Sequence, residues 1–368
     1  MFIVVSLIVF AAMTIGIAFG YIRKLPITTV WKIALYILLF LTFAAATSYL
    51  PLRRNGTLSW YWLDMFASSL AVIFVLFAAV LIGDWTKRVV RRVRGDDRAD
   101  HAINIAVPIV SVIYLAYGFV SAFTDPNIKR VEFPAPIAQP LKIAHLTDLH
   151  LGNGELLNTR FASNIVELTN ALNPDIVVIT GDLVDAPLPQ VTEALQILAQ
   201  LRTTHGVYYV SGNHEYMYNP AAIMDYLETL NFTVLRNSSA RLAGDFGAIS
   251  IAGTLDLAGN RYNFLKPDPQ QALELIRSDD FVLALAHQPK TAFDYPQASF
   301  DLMLAGHTHG GQMFPFTLLI RFVQPYVSGL YKHDERASVY VNRGSGYWGT
   351  PFRMFAPNEI ALITLMPN

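Results

Sequence analysis

The chain has 368 residues, enough for two structural units, with 53% hydrophobic and only 15% charged residues, where soluble proteins carry ~25% charge. A formal net charge of −1 gives no global argument for nucleic acid or for an acidic partner. Cysteine is absent, which excludes disulfides, thiolate metal sites and cysteine nucleophiles.

The apolar surplus lies in the first third of the chain. A helix needs about 20 apolar residues to cross the ~30 Å hydrocarbon core of a bilayer. Four stretches satisfy this without a Lys, Arg, Asp or Glu: Met1 to Ile22, Ile33 to Leu52, Met65 to Gly83 and Ala102 to Thr124. One such stretch is compatible with a buried core helix; four in succession, joined by short charged loops, predict a transmembrane region over 1–124. The first has no basic residue ahead of it and is followed by further spans, so it reads as an uncleaved helix rather than a signal peptide. Arg23, Lys24 and Lys32 flank the first loop, and Lys87, Arg88, Arg91, Arg92, Arg94 and Arg98 fill the third, whereas the second has only Arg53 and Arg54. Basic loops stay in the cytoplasm. The expectation is therefore a multi-pass inner-membrane protein whose later part is periplasmic or otherwise extracytoplasmic. Trp60, Tyr61, Trp62 and Trp85 suit interfacial belts, and Trp85 to Arg94 also reads as a basic amphipathic surface helix.

Residues 125–140 contain Pro126, Pro134, Pro136 and Pro140 and read as a linker without an element. From Leu141 short β-rich runs alternate with amphipathic helical stretches. Strands are expected at Leu141–Leu146, Asp175–Thr180, Val207–Ser211, Ile249–Gly253, Phe281–Ala286, Leu302–Ala305, Val339–Asn342 and Ile360–Leu365. Helices are expected at Phe161–Leu172, Val191–Leu201 and Ala221–Leu230. This alternation predicts a layered α/β domain over 141–368, whose ligands gather at the carboxyl ends of strands.

The polar residues fall at those ends. After the first strand come Asp148 and His150; after the second, G-D-L-V-D with Asp182 and Asp185; after the third, G-N-H-E with Asn213 and His214. The strand from Phe281 runs into His287, and that from Leu302 into G-H-T-H-G-G-Q, with His307 and His309. Of nine histidines, five lie in these turns, which an unbiased scatter would not produce. Such a rim suits phosphate-ester hydrolysis: two divalent ions ~3.5–4 Å apart neutralise the anionic oxygens that repel a nucleophile and generate a hydroxide near neutral pH. Mixed oxygen and imidazole ligands favour Mn, Fe, Zn or Co over Ca or Mg. Gly181, Gly212 and Gly306 let the backbone turn sharply beside the ions. His145 reads as a core residue with a satisfied nitrogen, His333 as an exposed one, and Tyr216 and Tyr218 as either packing or cleft residues.

With these motifs, the late N-R-G-S-G (Asn342 to Gly346) and P-N-E-I-A-L-I-T-L (Pro357 to Leu365), the segment from Leu141 to the C-terminus resembles the calcineurin-like metallophosphoesterases, specifically their bacterial membrane-associated branch. The resemblance implies a four-layer α/β sandwich with a dinuclear centre. It implies one ion held by Asp148, His150, Asp182 and His309, and a second by Asp182, Asn213, His287 and His307, with Asp182 and a hydroxide nucleophile bridging them. His214 would protonate or stabilise the leaving group, and Asp185 would orient it.

The expected activity is hydrolysis of a phosphoester or pyrophosphate bond of a lipid-linked substrate at the membrane surface. A periplasmic domain favours head-group phosphoesters; a cytoplasmic one favours a UDP-diacylglucosamine-type pyrophosphate. A tethered phosphodiesterase for a soluble ester and a metal-dependent sensor are the alternatives. No basic aromatic groove speaks for nucleic acid. The apolar tract between Gly311 and Lys332, with Arg321 its only charge and two prolines, reads as a loop that contacts lipid or acyl chains as well as core.

Overall fold

In the computed structural model, which describes residues 2–55, 59–154 and 157–368, the chain divides into two units. One is Met1–Phe123 with Gly349–Phe352, the other Thr124–Trp348 with Arg353–Asn368. Met1, where the first span was expected to begin, lies outside the described residues.

The four apolar runs form α1 (Phe2–Gly20), α2 (Thr29–Asn55), α3 (Trp60–Arg94) and α4 (Ala99–Phe123), all long and apolar enough to cross a membrane. Ile17, Leu39, Ala46 and Ile73 form a buried seam between α1, α2 and α3, while Val30, Phe40, Val112 and Ile113 stay largely exposed. A girdle of that kind is unfavourable in water and costs nothing in lipid. Side chains cannot grow at Gly16 or Gly83 without meeting Phe77 or Val107, so these small residues set how closely the helices approach. Helix α3 is longer than the expected Met65–Gly83. Its 35 residues span ~52 Å, and Trp85–Arg94 continues its axis instead of forming a separate surface helix. No proline interrupts it, and it stops where Gly95, at φ 76°, closes on the Arg91 carbonyl.

The second unit holds two six-stranded mixed sheets. The first contains β1 (Asn127–Ala135), β2 (Leu141–Leu146), β3 (Ile176–Thr180), β4 (Val207–Val210), β5 (Phe232–Val234) and a C-terminal strand, Glu359–Pro367. The second contains β6 (Ser238–Gly244), β7 (Gly247–Gly253), β8 (Phe281–Leu285), β9 (Leu302–Ala305), β10 (Gly329–Lys332) and β11 (Ser338–Val341). With the C-terminal strand as β12, the orders are β1-β12-β2-β3-β4-β5 and β10-β11-β9-β8-β7-β6. Ile143, Ile176 and Val178 from the first sheet meet Ile251, Leu283 and Leu304 from the second in one buried cluster. Their neighbours Val177 and Ile179 alternate to the other face and are equally buried. Outside lie α5 (Thr159–Ala171), α6 (Leu188–Leu198) and α7 (Pro220–Thr229), which bury Ile165, Leu195 and Ile223. Asn158 caps α5, and Asn219 caps α7 ahead of Pro220. The outer face of the second sheet is covered more thinly, by residues such as Tyr295, Phe300 and Ala272; Ala272 belongs to α9 (Pro269–Leu273), which follows α8 (Ala258–Tyr262). The result is the expected four-layer sandwich.

The reading of 125–140 as a linker is corrected. Residues Asn127 to Ala135 form β1, parallel to β12 in register from Asn127↔Glu359 to Ala135↔Pro367. Pro134 is tolerated because β1 is an edge strand and needs no donor on its outer side. The catalytic unit therefore begins near Thr124, not Leu141. Strands β5, β6 and β10 were not anticipated: they are short or half-exposed and lack an apolar run. The tract after Gly311 is largely irregular but carries a helical turn, α10 (Phe316–Leu319), continued by a 3-10 turn, Ile320–Phe322, before β10.

Candidate metal centre

Every expected site residue lies just beyond β2, β3, β4, β8 or β9. The turns are tight. Asp148, His150, Asp182, His307 and His309 all have left-handed φ between 48° and 70°, strain that non-glycine residues carry chiefly at functional sites. A side chain at Gly181 would collide with the Gly212 backbone, and one at Gly306 with Thr147 and Asp148, so these glycines are required where the turns cross.

Two clusters form. In one, Asp148 Oδ1 lies 3.0 Å from His309 Nε2 and 3.8 Å from His150 Nε2, and the two Nε2 atoms are 3.1 Å apart. In the other, Asp182 Oδ2 lies 3.1 Å from His287 Nε2, which is 3.2 Å from His307 Nδ1. Asp182 also reaches the first cluster, with Oδ2 3.9 Å from His150 Nε2. Both sets have the spacing of metal-ligand groups. Asn213 contributes a different sign: its side-chain oxygen is buried with no hydrogen-bond partner. Facing imidazole nitrogens, converging carboxylates and an orphaned amide oxygen fit divalent cations and fit nothing the protein itself provides.

Supporting groups aim these side chains. The His287 Nδ1 donates to the Thr180 carbonyl at 2.8 Å, and His150 Nδ1 to Asp185 Oδ2 at 3.0 Å, which turns each Nε2 toward its cluster. Asp148 accepts from the Thr147 hydroxyl at 2.7 Å and from the His307 backbone N–H at 2.9 Å. Burial opposes charge on Asp182, yet His287 and then His214 outweigh it and hold this carboxyl below the usual range. Burial likewise opposes charge on His287, but the Asp182 carboxylate keeps the ring well above its ordinary value.

His214 lies beside the clusters, its Nε2 3.8 Å from Asp182 Oδ2, and with His150 and Asp182 it forms a third group of ligand spacing. Its side chain is 15% exposed where Asp185 is closed off, its Nδ1 is held by Asp185 Oδ1, and its backbone N–H donates to Asp182 Oδ1 at 2.8 Å. Asp185 was expected to orient His214; it grips His150 as well, so one carboxylate aims two rings.

Two residues with no assigned role in the sequence reading appear here. Glu215, fully buried, accepts from the backbone N–H groups of Asp182, Leu183, Val184 and Gly212, and so ties the β3 turn to the β4 turn. Burial, then the Asp182 charge, push it up to about 7. Its position inside G-N-H-E was the available signal. Glu215→Ala is expected to lower stability by about 3 kcal/mol or more, since four N–H groups lose an acceptor; a thermal melt of the purified protein measures it, and an unchanged midpoint would show the turns hold without it. The second residue is Arg353, whose guanidinium lies behind His309; nothing in its local sequence marks it.

Two of the remaining histidines, His145 and His333, have structural settings. His145 is buried with Nε2 on the Thr180 hydroxyl, as expected. His333 is half-buried rather than exposed, with Nδ1 on Tyr326 and its ring beside Phe293 and Phe300. Tyr216 is buried with its hydroxyl on the Leu265 carbonyl, a packing role.

A mixed α/β sandwich with carboxylates and imidazoles at five strand ends defines a metal-dependent phosphoester hydrolase. The sequence profile of calcineurin-like phosphoesterases matches residues 141–311. An uncharacterized metallophosphoesterase of Campylobacter jejuni is 33% identical over 99% of this chain and 98% of its own length. One from Helicobacter pylori is 42% identical over 69% of this chain and 68% of its own. A transmembrane protein with metallophosphoesterase domain from Danio rerio is 31% identical over 91% of this chain and 80% of its own length. The chain belongs to the calcineurin-like metallophosphoesterases.

Proposed function

We propose that this is a membrane-anchored phosphoesterase that holds two divalent ions and cleaves a phosphoester or pyrophosphate bond of a lipid-linked substrate outside the cytoplasm. The observation that carries the lipid assignment is the segment following the His309 turn. Leu318, Leu319, Phe322 and Val323 are 52%, 55%, 85% and 71% exposed, and Thr317 of the same segment packs against Gly311. Apolar side chains exposed beside a catalytic turn suit contact with acyl chains. The four apolar helices and the transmembrane relative support anchoring.

In this reading Asp148, His150, His309 and Asp182 hold one ion, and Asp182, Asn213, His287 and His307 the other. Bound ions supply charge neutralisation at the phosphate and a nucleophile at neutral pH. Asp185 keeps His150 and His214 in fixed orientations. With Nδ1 committed to Asp185, His214 presents Nε2, from which a proton passes to the leaving oxygen.

Purified protein with its native metals, incubated with a bacterial lipid extract, is expected to release a phosphate-bearing head group; turnover confined to soluble esters would reject the lipid substrate. Replacing Leu318, Leu319 and Phe322 by Ser should raise KM for that lipid on the order of a thousandfold or more, because each buried apolar side chain is worth ~1.5–3 kcal/mol. Hydrolysis of a small soluble ester and the melting midpoint should stay unchanged, whereas a core role would damage both together. Sidedness is read by reporter fusions: one after Asp125 should be active only outside the cytoplasm, and one between Asp84 and His101 only inside. The reverse pattern would favour a cytoplasmic nucleotide-lipid pyrophosphatase.

A further inference from the structure

Between β7 and α9 the chain makes a compact loop, 255–268, that is braced throughout. One side-chain amide holds both of its ends. Asn237 Oδ1 accepts from the Leu255 and Asp268 N–H groups, each at 3.0 Å, and its Nδ2 donates to the Lys266 carbonyl at 2.7 Å. The two arms touch, since a side chain at Gly259 would run into the Leu265 carbonyl. Asn263 and Leu265 take left-handed φ of 52° and 48°, strain that persists only where the surroundings enforce it.

This loop is fastened to the His287 and His214 turns. At its base Asp256 accepts from Gln288 Nε2 at 3.0 and 3.1 Å, and Gln288 is the residue after His287. Farther along, the Leu265 carbonyl accepts from the hydroxyl of Tyr216, which lies just past His214, and Tyr262 stacks on the Tyr216 ring with centroids 5.9 Å apart. The loop therefore runs along the side of the centre where His214 stands. Its apolar side chains are nonetheless left in water. Tyr262 and Phe264 are 47% and 50% exposed, and Met217, at the end of the 3-10 turn Glu215–Met217, is 49% exposed. Apolar surface held rigidly beside a catalytic turn, and not used by the core, suits a ligand.

We propose that Tyr262, Phe264 and Met217 form the leaving-group subsite, one that takes an apolar alcohol. The inference deepens the reading of His214 as proton donor to the leaving oxygen and rests on it. Water adds to phosphorus, the P–O bond to the alcohol breaks, and the alcohol oxygen takes the proton from His214 Nε2. Whatever that oxygen carries then lies beside His214, against the turn 215–217 and the loop stacked on it. Apolar surface at that place selects a long-chain alcohol over a short one. The lipid is thus the part that departs, and the phosphate stays with the head group.

The test is a partition between two leaving groups. Methyl octyl phosphate carries two alkyl groups of nearly equal chemistry, and an equimolar mixture of methyl phosphate and octyl phosphate offers the same choice as monoesters. The detergent-purified full chain with its native metals should release octanol over methanol by at least about tenfold, the scale on which an apolar pocket discriminates by size. Tyr262→Ser combined with Phe264→Ser should lower that ratio roughly tenfold or more, with metal content and melting midpoint as in wild type. A wild-type ratio near one, or a ratio that the folded double variant keeps, overturns the proposal. If the double variant does not melt cooperatively, Phe264→Ser and Met217→Ser replace it, each made singly so that the Tyr216–Tyr262 stack is retained. A ratio kept by both again overturns the proposal. Protein that retains its metals and cleaves neither probe instead overturns the phosphoesterase reading, and the inference with it.

Discussion

Asp182→Ala is expected to strip both ions and lower phosphoesterase turnover by at least roughly a thousandfold, a larger loss than any other single change in the centre. The reason is geometric. Asp182 faces ring nitrogens of both clusters, 3.1 Å from His287 Nε2 on one side and 3.9 Å from His150 Nε2 on the other. Its Oδ1 also accepts from the His214 backbone, so the same side chain sets the height of the β4 turn. Asp182→Asn separates the two roles, because the amide keeps that oxygen but brings no charge. Elemental analysis of the purified variants decides the matter. Two ions retained in Asp182→Ala would contradict a bridging position, whatever the activity.

His214→Ala should do the opposite to the metals and nearly as much to the rate. The ring is more open than those of His150, His287 and His309, with Nδ1 on Asp185, and the expected ligand set is complete without it. Metal content is therefore expected to match wild type. Proton donation by a placed side chain contributes about 10²–10⁴ in rate, so an alkyl phosphoester should lose activity over that range. An aryl phosphate with an activated leaving group needs little protonation and should lose far less. Equal losses on the two substrates would remove leaving-group assistance from His214 and suggest that it binds the phosphate instead.

The legible parts of this protein were those in which the signal is local. A helix that crosses a bilayer is announced by an uninterrupted apolar run, and the four runs became α1 to α4. Buried parallel strands are short β-branched runs ending in polar turns, and β2, β3, β4, β8 and β9 emerged within a residue or so of their expected limits. Because the motifs sit at strand ends, naming the strands also placed Asp148, His150, Asp182, Asn213, His287, His307 and His309 on one rim. Where local texture misled, a distant partner was decisive. The prolines of 125–140 suggest a linker, but β1 is held by β12 from the far end of the chain, and an edge position tolerates Pro134.

Sequence alone thus determined the order of helices and core strands, the residues gathered at the candidate site and the class of chemistry, since each depends on residues only a few positions apart. Tertiary structure decided which supporting groups stand behind the ligands. Asp185 serves two rings because β2 and β4 flank β3. Glu215 is a clamp because two turns bring four N–H groups to one carboxylate. Arg353 is closed off from solvent because the loop between β11 and β12 folds back beside the β9 turn, where the carbonyls of Arg343, Gly346 and Ala356 take its guanidinium. A buried polar group must find its partners wherever the fold places them, and no spacing along the chain records where that will be.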